Sequence, residues 1–99
     1  MNEKKFTERL ELAYNTINKY CKVNGISVKI ISVPIEVATL YSYLSGRNII
    51  LHLKRNDVMT EIIISEQMID HMNKRDFEFI CIQQAWTGIR KLTEFEVKE

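Results

Sequence analysis

The stretch from Asn48 to Ser65 constrains the fold most. Two runs rich in β-branched residues, Asn-Ile-Ile-Leu-His-Leu-Lys-Arg and Val-Met-Thr-Glu-Ile-Ile-Ile-Ser, flank the dipeptide Asn56-Asp57. Turn-tolerant residues between two such runs predict a β-hairpin. With Asn56-Asp57 as a two-residue turn, Leu53 faces Thr60, Leu51 faces Ile62 and Ile49 faces Ile64 on one side. The other side pairs Lys54 with Met59, His52 with Glu61 and Ile50 with Ile63. The first side is almost wholly apolar, and the second turns polar toward the tip. A slip of one residue would turn the apolar set to water, so the register has an energetic reason.

Helices are predicted on both sides of this hairpin. Over residues 3–23, Phe6, Leu10, Ala13, Ile17 and Cys21 recur at steps of three and four, and Tyr14 and Tyr20 widen the stripe. Asn24-Gly25 then supplies residues that accept a left-handed cap. In Ile26 to Val33, Ile26, Val28 and Ile30 alternate with Ser27 and Lys29 and β-branched residues dominate, so the segment reads as a strand. Residues 34–46 read as a helix starting at Pro34 and ending at Gly46, or as a further strand turning at Ser45-Gly46. After the hairpin, Ser65 is placed to cap a short helix over 66–74, with Met68, Ile69 and Met72 on its apolar side. Asp76 is placed to cap a last helix over 77–92. That helix carries two adjacent stripes: Phe77, Ile80, Cys81, Ala85 and Leu92, then Phe79, Ile82, Trp86 and Ile89. A face this wide is buried or covers an interface. The alternation in Phe-Glu-Phe-Ile-Cys-Ile leaves a strand open for 77–82, and residues 93–99 read as a frayed tail. The expected fold is therefore α+β, a single domain over 1–99 with an antiparallel sheet, including the central hairpin 48–65, packed against helices.

Composition narrows the function classes. The 99 residues are 45% hydrophobic, which argues against disorder, and no apolar run approaches the ~18 residues of a membrane span. Fourteen basic and thirteen acidic residues exclude a strongly cationic nucleic-acid binder. The start, Met-Asn-Glu-Lys-Lys-Phe, lacks the apolar core of a secretory signal, so an intracellular location is expected. Cys21 and Cys81 lie far apart outside any CxxC or Cys/His pattern and read as buried free thiols, with a disulfide left open.

No catalytic, metal or cofactor motif is present in the sequence. His52 and His71 stand outside any HxxxH or HxxE pattern, and Gly25, Gly46 and Gly88 are scattered instead of clustered around a phosphate. Facing each other across the hairpin, His52 and Glu61 read as an exposed cross-strand pair or as an acid–base dyad.

Two binding readings follow. Lys54, Arg55 and Asn56 cluster at the hairpin tip, with Arg47 at the other end and Tyr41 and Tyr43 just before it. Such basic loops with nearby aromatics track phosphates and stack bases, which makes a small DNA- or RNA-binding module one expectation. The series helix, strand, helix, hairpin resembles a winged-helix domain, but with one helix where that family has two. The leading expectation is a protein-binding module. Tyr41, Tyr43, Met68, Met72 and Trp86 belong to the side-chain types favoured at interface cores, and the excess apolar surface points to a homodimer.

Fourteen Ile and seven Asn against three Ala and three Gly, the short length and the lack of a catalytic signature give a distinct style. In that style the chain resembles the small accessory proteins of viruses and other mobile elements, among them the short proteins of archaeal filamentous viruses (the lipothrixviruses and relatives). The resemblance implies a non-enzymatic accessory protein acting inside the host cell on a macromolecular partner.

Overall fold

The computed structural model describes residues 3–33 and 48–97. Helix α1 (Glu3–Lys22) leads into strand β1 (Ser27–Val33), and the hairpin follows as β2 (Asn48–Arg55) and β3 (Val58–Ser65). The short helix α2 (Glu66–His71) and the long helix α3 (Lys74–Val97) complete the order. The alternatives for residues 34–46 lie outside the described residues. Among the described residues, no helix is long and apolar enough to cross a membrane.

The three strands form an antiparallel sheet in the order β1-β2-β3. The hairpin has the expected register throughout, from Arg55 opposite Val58 to Asn48 opposite Ser65. Asn56 takes φ 56° at the first turn position, a left-handed conformation that asparagine tolerates better than most residues. Val28 lies opposite Leu53 and Ile30 opposite Leu51, so β1 extends the apolar side of the hairpin. That side is covered by helices, with α1 against β1 and α3 against β3. The core joins Ile17 and Cys21 of α1, Ile49, Leu51, Leu53, Ile62 and Ile64 of the sheet, and Phe77, Cys81, Ala85 and Leu92 of α3. On the opposite side of the sheet, Ile31, Ile50 and Ile63 form one lateral row and Lys29, His52 and Glu61 the next, nearer the tip.

Local caps explain where the helices stop. At the end of α1, the Gly25 N–H donates to the Lys22 carbonyl and the Ile26 N–H to the Cys21 carbonyl. Gly25 at φ +69° supplies the left-handed residue this closure requires. Ser65 caps α2 as expected, its hydroxyl oxygen accepting from the Met68 N–H at 3.2 Å.

The last two helices differ in extent from the sequence expectation. The short helix ends at His71 and not at residue 74, because Met72 turns extended and donates its N–H to the Met68 carbonyl. Asn73, not Asp76, caps α3: its Oδ1 accepts from the Asp76 N–H at 2.8 Å. Lys74 and Arg75 therefore open α3 instead of closing α2, and Asp76 meets the positive helix end from its first turn. Residues 77–82 are helical and not a strand, which places Phe77 and Cys81 one turn apart on the buried side. Helix α3 also continues to Val97 where a tail was expected beyond residue 92. Thr93 helps hold that extension, donating to the Ile89 carbonyl at 2.9 Å and accepting from Arg55 Nη2 at 3.2 Å.

Candidate functional site

Helices α1 and α3 run side by side in the same direction. The Arg9 guanidinium lies 5.5 Å from the Phe77 ring centroid near their N-terminal ends, and Tyr20 meets Trp86 further along. Small and medium side chains fill the core beneath them: Ala13, Ile17 and Cys21 from α1, Cys81, Ala85 and Ile89 from α3. This packing consumes Phe77, Cys81, Ala85 and Leu92 of the first stripe on α3 and Ile89 of the second. The rest of the second stripe, Phe79, Ile82 and Trp86, surfaces as an apolar strip, with Trp86 beside Tyr20 of α1.

Phe79, Ile82 and Trp86 follow one another at steps of three and four along α3, so they share a face. Phe79 is 59% and Trp86 49% exposed, while Ile82 is half-buried. From α1, the Tyr20 ring packs against Trp86 with centroids 5.6 Å apart and planes tilted by 53°. Offset or tilted aromatic pairs of this kind hold each other's rotamers and add about 0.5–1.5 kcal/mol beyond area burial. Val23, one turn beyond Tyr20, is 82% exposed and prolongs the strip. Near the Tyr20–Trp86 pair the exposed polar residues include two cations: Lys19, whose Nζ sits 5.9 Å from the Tyr20 centroid, and Arg90, one turn beyond Trp86. At the other end, an open depression of about 530 Å³ is lined by Asn73, Arg75, Asp76, Glu78, Phe79 and Ile82. The strip thus offers pre-oriented aromatic anchors with a basic border at one end.

The structure separates the residues singled out from the sequence. Trp86 belongs to the exposed strip. Met68 and Met72 do not; both are half-buried and pack against the core. Tyr41, Tyr43 and Arg47 lie outside the described residues. At the hairpin tip, Lys54 is exposed and Asn56 serves the turn. Arg55 points inward: Nη1 donates to the Asn24 carbonyl at 3.0 Å and Nη2 to Thr93 Oγ1 at 3.2 Å. Its guanidinium therefore ties the tip to the α1–β1 turn and to the end of α3. A charge count of the tip in the sequence overstates what it presents to a phosphate.

His52 Nε2 and Glu61 Oε1 stand 3.4 Å apart on the sheet face away from the helices, with Lys29 opposite His52. Glu61 is half exposed, so this is a solvated cross-strand pair of the usual modest strength. Among the described residues, no group of three His, Cys, Asp or Glu is placed to hold a metal ion. Phe79, Tyr20 and Val23 escaped the sequence reading of the site. Phe79 was visible as a member of the second stripe, but nothing local distinguishes an exposed stripe from a covered one.

Cys21 and Cys81 are free and buried, as their spacing suggested. Burial pushes the Cys21 thiol up from 9.0 to about 11. It pushes Cys81 up to about 12, with Glu78 adding to the rise and Arg9 opposing it. Below pH 9 both folded and unfolded chains keep these protons, so the thiols contribute no pH dependence there. Between pH 9 and about 11–12 the unfolded chain loses protons that the folded chain retains, and stability falls. The melting temperature of the wild-type protein is therefore expected to drop more steeply above pH 9 than that of a Cys21→Ala/Cys81→Ala variant. Parallel pH profiles for the two proteins would contradict this assignment.

No protein-family model, curated protein or solved structure matches the chain.

Proposed function

We propose that the chain is a non-enzymatic protein-binding module, self-associating as a homodimer, that docks a protein partner on the strip formed by Tyr20, Val23, Phe79, Ile82 and Trp86. The observation that carries this reading is Trp86, half exposed yet held in place by Tyr20, with Phe79 two turns away on the same face. Trp and Tyr anchors fixed before binding lose little side-chain freedom on association. Covering the exposed half of one such ring removes about 100 Å² from water, which contributes about 2.5 kcal/mol at about 25 cal/mol per Å². Lys19 and Arg90 at the border favour a partner segment that is apolar in the middle and acidic at one end. The Ile- and Asn-rich composition agrees with an intracellular accessory protein of a virus or other mobile element.

Capture experiments from the native host, with washes of rising salt, test this reading. The wild-type chain is expected to retain a protein through the salt series. Trp86→Ala or Phe79→Ala is expected to weaken retention about thirtyfold, the effect of truncating a hot-spot aromatic, with Phe79→Ala costing little stability and Trp86→Ala losing about 1 kcal/mol with its Tyr20 contact while remaining folded. Retention of nucleic acid that elutes with salt, or protein retention indifferent to both substitutions, would overturn it.

A further inference from the structure

Among the described residues, strand β3 is an edge strand of the sheet. It has β2 on one side and, among the described residues, no strand on the other. The two-residue turn makes Arg55 and Val58 the first hydrogen-bonded pair, so bonded and non-bonded pairs alternate from there. Val58, Thr60, Ile62 and Ile64 spend their backbone groups on β2. Met59, Glu61 and Ile63 direct N–H and C=O groups outward, while Ser65 has only its N–H to offer there, its carbonyl opening the hydrogen-bond ladder of α2. Natural edge strands are usually blunted by lysine, proline or a bulge. Here the pairing runs uninterrupted over eight residues, and the strand contains neither proline nor a basic residue. Its single charge, Glu61, is already beside His52. Met59 is 50% and Ile63 40% exposed on the same side.

We propose that a second copy of the chain occupies this edge, β3 pairing antiparallel with β3 about a twofold axis at Ile63. Charge and shape select the register. An axis at Glu61 sets two carboxylates opposite each other, and one at Ile62 sets Glu61 against Ile63 of the second copy. An axis at Ile63 places Ile63 against its own counterpart, Ile62 against Ile64, and Glu61 against Ser65. The Ser65 hydroxyl oxygen accepts from Met68 N–H, and its hydrogen remains to donate to that carboxylate. The apolar row Ile31, Ile50, Ile63 then continues across the axis into the second copy, and the two sheets become one of six strands. The partner-binding strip lies on the helices and stays uncovered on both copies. This inference deepens the homodimer reading above and is independent of the partner-binding strip.

Light scattering combined with amide hydrogen exchange tests it. The wild-type chain is expected to have the mass of a dimer, with exchange at Glu61, Ile63 and Ser65 slowed at least about a hundredfold relative to an open edge. Ile63→Lys is expected to give a folded monomer in which those amides exchange freely and the melting temperature no longer depends on protein concentration, whereas Trp86→Ala remains a dimer. A monomeric wild type would overturn the proposal, as would a dimer with fast edge amides or one dissolved by Trp86→Ala. Slow edge amides in a monomer would mean a different cover on β3 and would overturn it equally. Because the wild-type exchange pattern is read without any substitution, a poorly folding Ile63→Lys leaves the result decisive.

Discussion

Phe77→Ala is expected to cost about 3–5 kcal/mol, the range for deleting a fully buried aromatic ring. Phe77 sits at the start of α3, where its N–H donates to the Asn73 carbonyl at 3.0 Å and its ring enters the core shared by both long helices. The ring also carries the Arg9 guanidinium on its face, and Arg9 Nε is buried with no hydrogen-bond partner among the described residues. Alanine would leave a void and strip that cation of its aromatic platform together. A domain of this size holds about 5–15 kcal/mol in total, so the substitution removes a large share. Phe77→Leu, which keeps most of the volume but loses the ring face, is expected to cost about half as much. Urea unfolding of the three proteins measures the effect, and a loss below about 1 kcal/mol for alanine would remove Phe77 from the core.

The second large effect is expected at Gly88, in the middle of α3. Mid-helix glycine ordinarily costs about 1 kcal/mol relative to alanine, so local propensity alone favours replacement. The packing opposes it. A Cβ at Gly88 would stand 2.6 Å from Leu53 Cδ2 and 3.5 Å from Ile62 Cδ1, and Leu53 is itself fully buried. Glycine here sets how closely the helix approaches the sheet. Gly88→Ala is expected to lose about 1 kcal/mol despite the better propensity, and Gly88→Val about 3 kcal/mol, through overpacking. Shortening the opposing side chain relieves the clash. A double-mutant cycle of Gly88→Ala with Leu53→Val is therefore expected to show favourable coupling of about 1 kcal/mol. Stabilisation by Gly88→Ala alone would contradict the close approach.

How much of this was legible in the sequence depends on the distance over which each feature is encoded. The hairpin register was readable residue by residue, since a turn and two alternating runs within eighteen residues contain all the information it needs. Helix α1, its glycine closure and the Ser65 cap were readable for the same reason. The start of α3 was not. Asn73 and Asp76 are both acceptable caps, and the helix begins at the earlier one, with Asp76 in its first turn. Arg55 looked like a surface cation because its two acceptors, Asn24 and Thr93, lie 31 and 38 residues away.

By itself, then, the sequence determined α1, β1, the pairing of β2 with β3 and the amphipathic faces, because each rests on periodicity and turn chemistry among near neighbours. Only the tertiary structure decided how much of the wide apolar face of α3 is covered. The sheet and α1 together bury the stripe through Phe77, Cys81 and Ala85, and leave Phe79 and Trp86 at the surface, Trp86 beside Tyr20. Burial is a property of what else comes within reach, and that depends on contacts between residues distant in the chain.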